Sequence, residues 1–374
     1  MKCFLIKSLS CCFIIMAGCG TIVNKSRSNK QLGFVPFDDN HIQYEGRIEH
    51  KTDAAYLYWP GSTVRIKFNG TAIKVLLKDF NGQNYFNVII DGVVVKKIRI
   101  DSVKKMYLLA DSLEPGVHTI ALFKRTQINK DYNRGYTKFF GFQIVGDGFV
   151  LSAPARKKRK MEFYGNSITC GHAIEDTTGT DSGQSFFENN YLSYAAITAR
   201  NFKAQYYCIA ESGIGLMAGF RKEIMPEIYN RTNPFDSLSS WNFDIYTPDV
   251  VVVNLLQNDE AVFKQPQSDA FKRRFGNRMP AEQQIVRSYQ AFIQKIRSHY
   301  PKAYIICVLG NMNITQAGSP WPGYVNRAVA DMNDRKVLTH FFPYKGAPKH
   351  PLIKDHELMA ASLTDFIRAN IKWQ

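Results

Sequence analysis

Ser167 sits in the run Gly165-Asn166-Ser167-Ile168-Thr169, and far along the chain His350 precedes Pro351. A serine hydroxyl becomes a useful nucleophile when a nearby imidazole takes its proton, and the tetrahedral intermediate of acyl transfer needs preorganised donors for its oxyanion. Two other runs offer such donors, Glu211-Ser212-Gly213-Ile214-Gly215 and Gln257-Asn258-Asp259. The candidates are the backbone N–H groups of Ser167 and Gly213 and the side-chain amide of Asn258. Each has an ordinary reading in isolation: a Gly-x-Ser turn, turn residues at Gly213 and Asn258, a surface histidine in a loop. Together they argue for more, because each lies just beyond an apolar run and His350 falls close before the last helix pattern.

Those apolar runs, at 161–164, 205–210, 250–256, 304–309 and 337–341, suit the strands of a buried parallel sheet. Between and after them, 191–201, 281–300 and 355–371 read as helices, so the C-terminal part is expected to be a doubly wound α/β domain. In such a sheet ligands bind beyond the carboxyl ends of the strands, where all four blocks converge. Residues 50–150 follow another rule. Val64, Ile66 and Phe68 alternate with Arg65 and Lys67, and turn pairs such as Asn69-Gly70 and Asp91-Gly92 punctuate short strands. This predicts an all-β sandwich or jelly roll over 35–153, a basic linker at 154–160 and the α/β domain over 161–374; a chain of 374 residues, 45% apolar, can bury both cores.

The first residues read as an export leader, with Lys2 and Lys7 before a short apolar run. Met16-Ala17-Gly18-Cys19 resembles a lipobox, which predicts a leader over 1–19 with lipidation at Cys19, a tether over 20–34, and a lipid-anchored protein in the periplasm or at the cell surface, held by the (outer) membrane. An ordinary cleaved signal is the other reading. Of the seven cysteines, Cys170, Cys208 and Cys307 belong to the folded body, which rules out a disulfide framework and suits packed thiols. The formal charge of +16 is scattered apart from Arg156-Lys157-Lys158-Arg159-Lys160, and no nucleic-acid module accompanies it. Neither a metal-ligand spacing nor a phosphate-cradling loop is present, so no metal and no cofactor are expected.

The run from Arg159 through Ser167 to Gly171 resembles the nucleophile block of the SGNH (GDSL-like) hydrolases, and of carbohydrate esterase family two in particular. The stretches Asn84 to Gly92, Lys124-Arg125-Thr126, Phe140-Gly141-Phe142, Tyr191 to Ala196 and Ser212 to Leu216 are similar to that family too. The resemblance implies a jelly-roll domain before the catalytic one and hydrolysis of acetyl esters on poly- or oligosaccharide hydroxyls. It implies attack by Ser167, an oxyanion hole from Ser167, Gly213 and Asn258, and proton transfer by His350.

Three positions depart from the pattern. Asn166 stands where Asp is common, Leu256 where the third block has Gly, and Ala347 where an Asp precedes the histidine by three residues. The last departure predicts a Ser-His dyad with a backbone carbonyl orienting His350. Asp259 is expected to brace its own loop, and Asp355 and Glu357 to begin the terminal helix. His356 is the competing base and Cys170 the competing nucleophile. Trp321, expected in a loop after the fourth strand, is a candidate sugar-stacking residue or else a packed anchor. A non-catalytic glycan-binding lipoprotein, or an esterase for wall or host glycans or lipid esters, are the alternative functions.

Overall fold

The computed structural model describes Met1, residues 33–129 and residues 133–373. The leader and Cys19 lie outside the described residues. Two six-stranded antiparallel sheets come first, between Phe34 and Leu151. The strand Thr63–Asn69 buries Val64, Ile66 and Phe68, and Ala72–Asp79 in the other sheet buries Ile73, Val75 and Leu77; both sets enter one shared core. The period-two alternation is therefore the inner face of two stacked sheets. Asp91 and Gly92, both at positive φ, turn the strand Tyr85–Ile90 into Val93–Arg99, as a two-residue hairpin requires.

A five-stranded parallel sheet follows: Lys160–Gly165, Gln205–Ala210, Val250–Asn254, Tyr304–Leu309 and Val337–Phe341. In space the second strand lies beside the first, which pairs on its other side with the third, then the fourth and fifth. The order reverses at the first strand, so a crevice opens beyond its carboxyl end. Register levels the rim there, because Gly165 is opposite Ala210 on one side and Asn254 on the other. Helix Glu282–His299 covers one face with Ile285, Val286, Tyr289, Phe292, Ile293 and Ile296; helix Ile353–Asn370 packs Met359, Ala360, Leu363 and Ile367 into the other.

Three expectations need correction. The third strand ends at Asn254 rather than 256, because Leu256 turns left-handed at φ 75° and leads into helix Gln257–Phe263. The 191–201 stretch is not one helix: a short 3₁₀ turn, Asn190–Leu192, ends at Ser193, whose hydroxyl accepts from the Ala196 N–H and caps helix Tyr194–Asn201. Trp321 opens helix Trp321–Met332 instead of lying in a loop.

The antiparallel part is tied to the parallel sheet through buried polar contacts. Arg47 donates to Glu162 at 2.9 Å and to the Tyr164 hydroxyl at 2.8 Å, both on the first parallel strand. All three side chains are buried.

Candidate active site

The first parallel strand ends at Gly165, and Asn166 caps a four-residue helix, Ser167–Cys170, by accepting the Ile168 N–H at 3.1 Å. Asn166 thus does the capping work that an Asp would do, without its charge. The cap places Ser167 on the first turn at the rim. The Ser167 hydroxyl lies 2.8 Å from His350 Nε2. His350 comes from the segment between the fifth strand and the terminal helix, 183 residues away.

On its other side the imidazole meets an acid. His350 Nδ1 is 2.9 Å from both carboxylate oxygens of Asp181, and the His350 backbone N–H points at the same carboxylate. The expectation of a dyad oriented by a backbone carbonyl is corrected accordingly: a carboxylate holds the ring, from the loop after helix Ser167–Cys170 rather than from three residues before the histidine. That loop is stiffened locally. The Asp176 carboxylate accepts from the N–H groups of Thr178 and Ser182 at 2.9 and 2.7 Å, Lys349 donates to the Gly179 carbonyl, and Asp181 sits at φ 57°.

The charges suit a resting triad with a neutral imidazole. Burial alone would raise the Asp181 carboxyl, but the hydrogen bond and charge of His350 outweigh it and hold it below the ordinary value. Burial pushes the His350 imidazole down, and His172, its ring 4.6 Å away, pushes the same way; the Asp181 bond offsets only part of this. A base must be neutral to accept a proton. With a chromogenic acetyl ester, kcat/KM is therefore expected to hold down to below pH 6.5, the ordinary imidazole value, before falling. A midpoint above it would contradict this environment for His350.

The donors gather on the same rim. Gly213 adopts φ 81°, and a Cβ there would crowd Arg221 Nε at 3.2 Å and Phe220 Cβ at 3.3 Å, so the position favours glycine. Arg221 Nε donates to the Ser212 carbonyl at 2.7 Å. In a trans peptide that carbonyl and the Gly213 N–H point in opposite directions, so the bond fixes where the N–H aims. Asn258 Nδ2 gives one hydrogen to the Ile214 carbonyl at 2.7 Å, which pins the amide and leaves its second hydrogen for another acceptor. Among the described residues no hydrogen bond occupies the N–H of Ser167 or of Gly213.

Asp259 braces a neighbouring turn rather than its own loop, accepting the N–H groups of Leu216, Met217 and Ala218 at 2.9, 2.6 and 2.9 Å. Burial nevertheless pushes its carboxyl up to about 6. Leu256, fully buried, holds a left-handed conformation that costs about 1–2 kcal/mol in a non-glycine residue. Leu256→Gly would relieve that strain but empty a core site, and truncating a buried leucine costs about 3–5 kcal/mol. The cavity is expected to win, lowering stability by about 2 kcal/mol in denaturant titration. A more stable Leu256→Gly would mean that backbone strain outweighs the packing the leucine provides.

The competing groups are placed elsewhere. His356 is buried in the terminal helix, its Nδ1 accepting the Tyr194 N–H at 3.1 Å, and burial pushes it down to about 3. Burial raises the Cys170 thiol well above its ordinary value. Asp355 caps the terminal helix by accepting the Leu352 N–H at 2.9 Å. Trp321 is 6% exposed and packs edge-on against Phe263, with ring centroids 5.4 Å apart. It borders a cleft of about 540 Å³ whose lining includes none of Ser167, His350 or Asp181. The indole is an anchor between helices, not an open platform beside Ser167.

Residues 44–154 match the family described as carbohydrate esterase 2 N-terminal. A solved family two carbohydrate esterase from Clostridium thermocellum, in complex with cellohexaose, is 34% identical; the match covers 88% of this chain and 98% of that one, with a TM-score of 0.77. The chain belongs to carbohydrate esterase family two. The cellulase/esterase CelE of Acetivibrio thermocellus is also 34% identical, over 90% of this chain but 40% of its own length. An acetylxylan esterase / glucomannan deacetylase of Cellvibrio japonicus is 23% identical, over 90% of both chains. In this family two member the parallel sheet fits an SGNH-type domain. Asp181 and Arg221 are the site residues that sequence reasoning missed.

Proposed function

We propose that this family two member is a serine carbohydrate O-acetylesterase acting on acetylated poly- or oligosaccharides, with a jelly-roll domain over 35–153 ahead of an SGNH domain over 161–374. The observation that carries the reading is the chain of contacts Asp181–His350–Ser167, at 2.9 and 2.8 Å. His350 Nε2 takes the Ser167 proton as Oγ attacks the acetyl carbonyl. The oxyanion is held by the Ser167 and Gly213 N–H groups and the Asn258 amide. The imidazolium returns its proton to the departing sugar oxygen, and water then repeats the sequence on the acetyl-enzyme to release acetate. A complete triad argues against a binding protein without turnover.

The names of the relatives, acetylxylan esterase / glucomannan deacetylase and cellulase/esterase, support an acetylated plant glycan as substrate. Acetate release from acetylated xylo- and manno-oligosaccharides, set against a long-chain lipid ester, tests this. Acetate is expected from the sugar esters and little from the lipid ester; sugar binding without acetate release would overturn the proposal. The lipobox adds a lipid anchor at Cys19, and hence export, to the proposal.

A further inference from the structure

Gln127 lies in the segment after the antiparallel strand Val117–Lys124, outside the parallel sheet, yet its side chain ends at the oxyanion block. The Ser212 N–H donates to Gln127 Oε1 at 2.6 Å, and Gln127 Nε2 donates to Ser212 Oγ, also at 2.6 Å. The other hydrogen of that amide goes to Glu188 Oε1 at 2.9 Å, and the Gln127 backbone N–H goes to Glu188 Oε2 at 3.2 Å. The amide cannot turn over, because its oxygen faces a group that only donates and its nitrogen faces a carboxylate that only accepts. Gln127, Glu188 and Ser212 are all buried, and Arg134 holds the Glu188 carboxylate at 2.6 Å.

Ser212 is the residue whose carbonyl shares a peptide plane with the Gly213 N–H. Arg221 grips that carbonyl from one side. Gly213, lacking a Cβ, would otherwise let the plane rotate. We propose that Gln127 is a positioning residue for the oxyanion hole, so that the antiparallel N-terminal part of the chain completes the catalytic rim rather than merely adjoining it. The inference rests on the acyl-transfer reading above, in which the Gly213 N–H meets the developing oxyanion. A clamp of this kind acts on the transition state. Its loss lowers kcat and leaves ground-state binding nearly untouched, since the substrate carbonyl carries little charge before attack.

The test is the full chain carrying Gln127→Met, which keeps the volume and removes every side-chain hydrogen bond. Removing one oxyanion donor outright costs about 100- to 1000-fold, so a displaced donor is expected to lower kcat on 4-nitrophenyl acetate about 10- to 100-fold, with KM within about twofold. The inhibition constant of methylboronic acid, whose serine adduct carries a tetrahedral oxyanion, should rise in step with the loss in kcat. A merely structural role would leave that parallel unfulfilled. Wild-type kcat in a folded Gln127→Met, or a change confined to KM with the boronate constant unmoved, overturns the inference. Where Gln127→Met does not fold, Ser212→Ala removes one of the two clamp bonds and is expected to lower kcat about threefold or more; an unchanged kcat overturns the inference there. Turnover surviving in Ser167→Ala would instead sink the underlying reading, whereas an inactive Ser167→Ala beside a fully active Gln127→Met would sink this inference alone.

Discussion

Ser167→Ala and His350→Ala are each expected to lower kcat on an acetyl ester by about 10⁵- to 10⁶-fold, and the double variant to be no worse than either alone. The reason lies in the 2.8 Å contact between the hydroxyl and Nε2. Without the imidazole the serine keeps its proton at neutral pH, and without the serine the imidazole has no nucleophile to activate, so the second loss removes nothing further. What survives is the contribution of the oxyanion donors and of binding, about 10³-fold over water in the analogous serine hydrolases. KM should stay within a few-fold, because neither group is needed to hold the sugar. The outcome separates this assignment from its rivals. Additive losses would mean that Ser167 and His350 act in different steps, and a large effect of His356→Ala on pH dependence rather than on stability would point to the other imidazole. The latter is not expected, since His356 is fully buried on the terminal helix, where its Nδ1 accepts the Tyr194 N–H.

The parallel sheet was the most legible part of the chain. Strands Gln205–Ala210, Tyr304–Leu309 and Val337–Phe341 have the bounds their apolar runs suggest. A strand covered on both faces is written as a continuous apolar run, and polar loops mark its ends. Ser167 and His350 could be read as partners because each follows such a strand, and strand ends are where an open sheet concentrates its chemistry. The errors fall where position along the chain stops implying position in space. Leu256 looks like the continuation of an apolar run; its left-handed backbone is imposed by the tight strand-to-helix turn and leaves no trace in hydrophobic periodicity. Trp321 follows Pro320 and precedes Pro322, which reads as a loop, but proline is welcome in the first turn of a helix and here opens one. Gln127 was hidden for a further reason: its partners, Ser212 and Glu188, lie 85 and 61 residues away in loops of another sheet.

Asp181 was the least legible residue of the proposed triad, and its replacement is the sharper test of mechanism. It belongs to a polar loop, Asp176-Thr177-Thr178-Gly179-Thr180-Asp181-Ser182-Gly183, whose other aspartate, Asp176, spends its carboxylate on the loop itself. Nothing local distinguishes the two. In Asp181→Asn the side chain keeps its shape and loses its charge, and the new amide N–H can donate to Nδ1. That favours the tautomer carrying its proton on Nε2, which cannot accept from Ser167, and withdraws the charge that stabilises the imidazolium. A loss in kcat of about 10³- to 10⁴-fold is expected, with KM little changed. Asp181→Ala should lose less than Asp181→Asn, because a cavity or a water does not enforce the wrong tautomer. If both variants keep more than about a third of kcat, a backbone carbonyl or solvent is sufficient to orient His350, and the carboxylate at 2.9 Å braces the loop without serving the reaction.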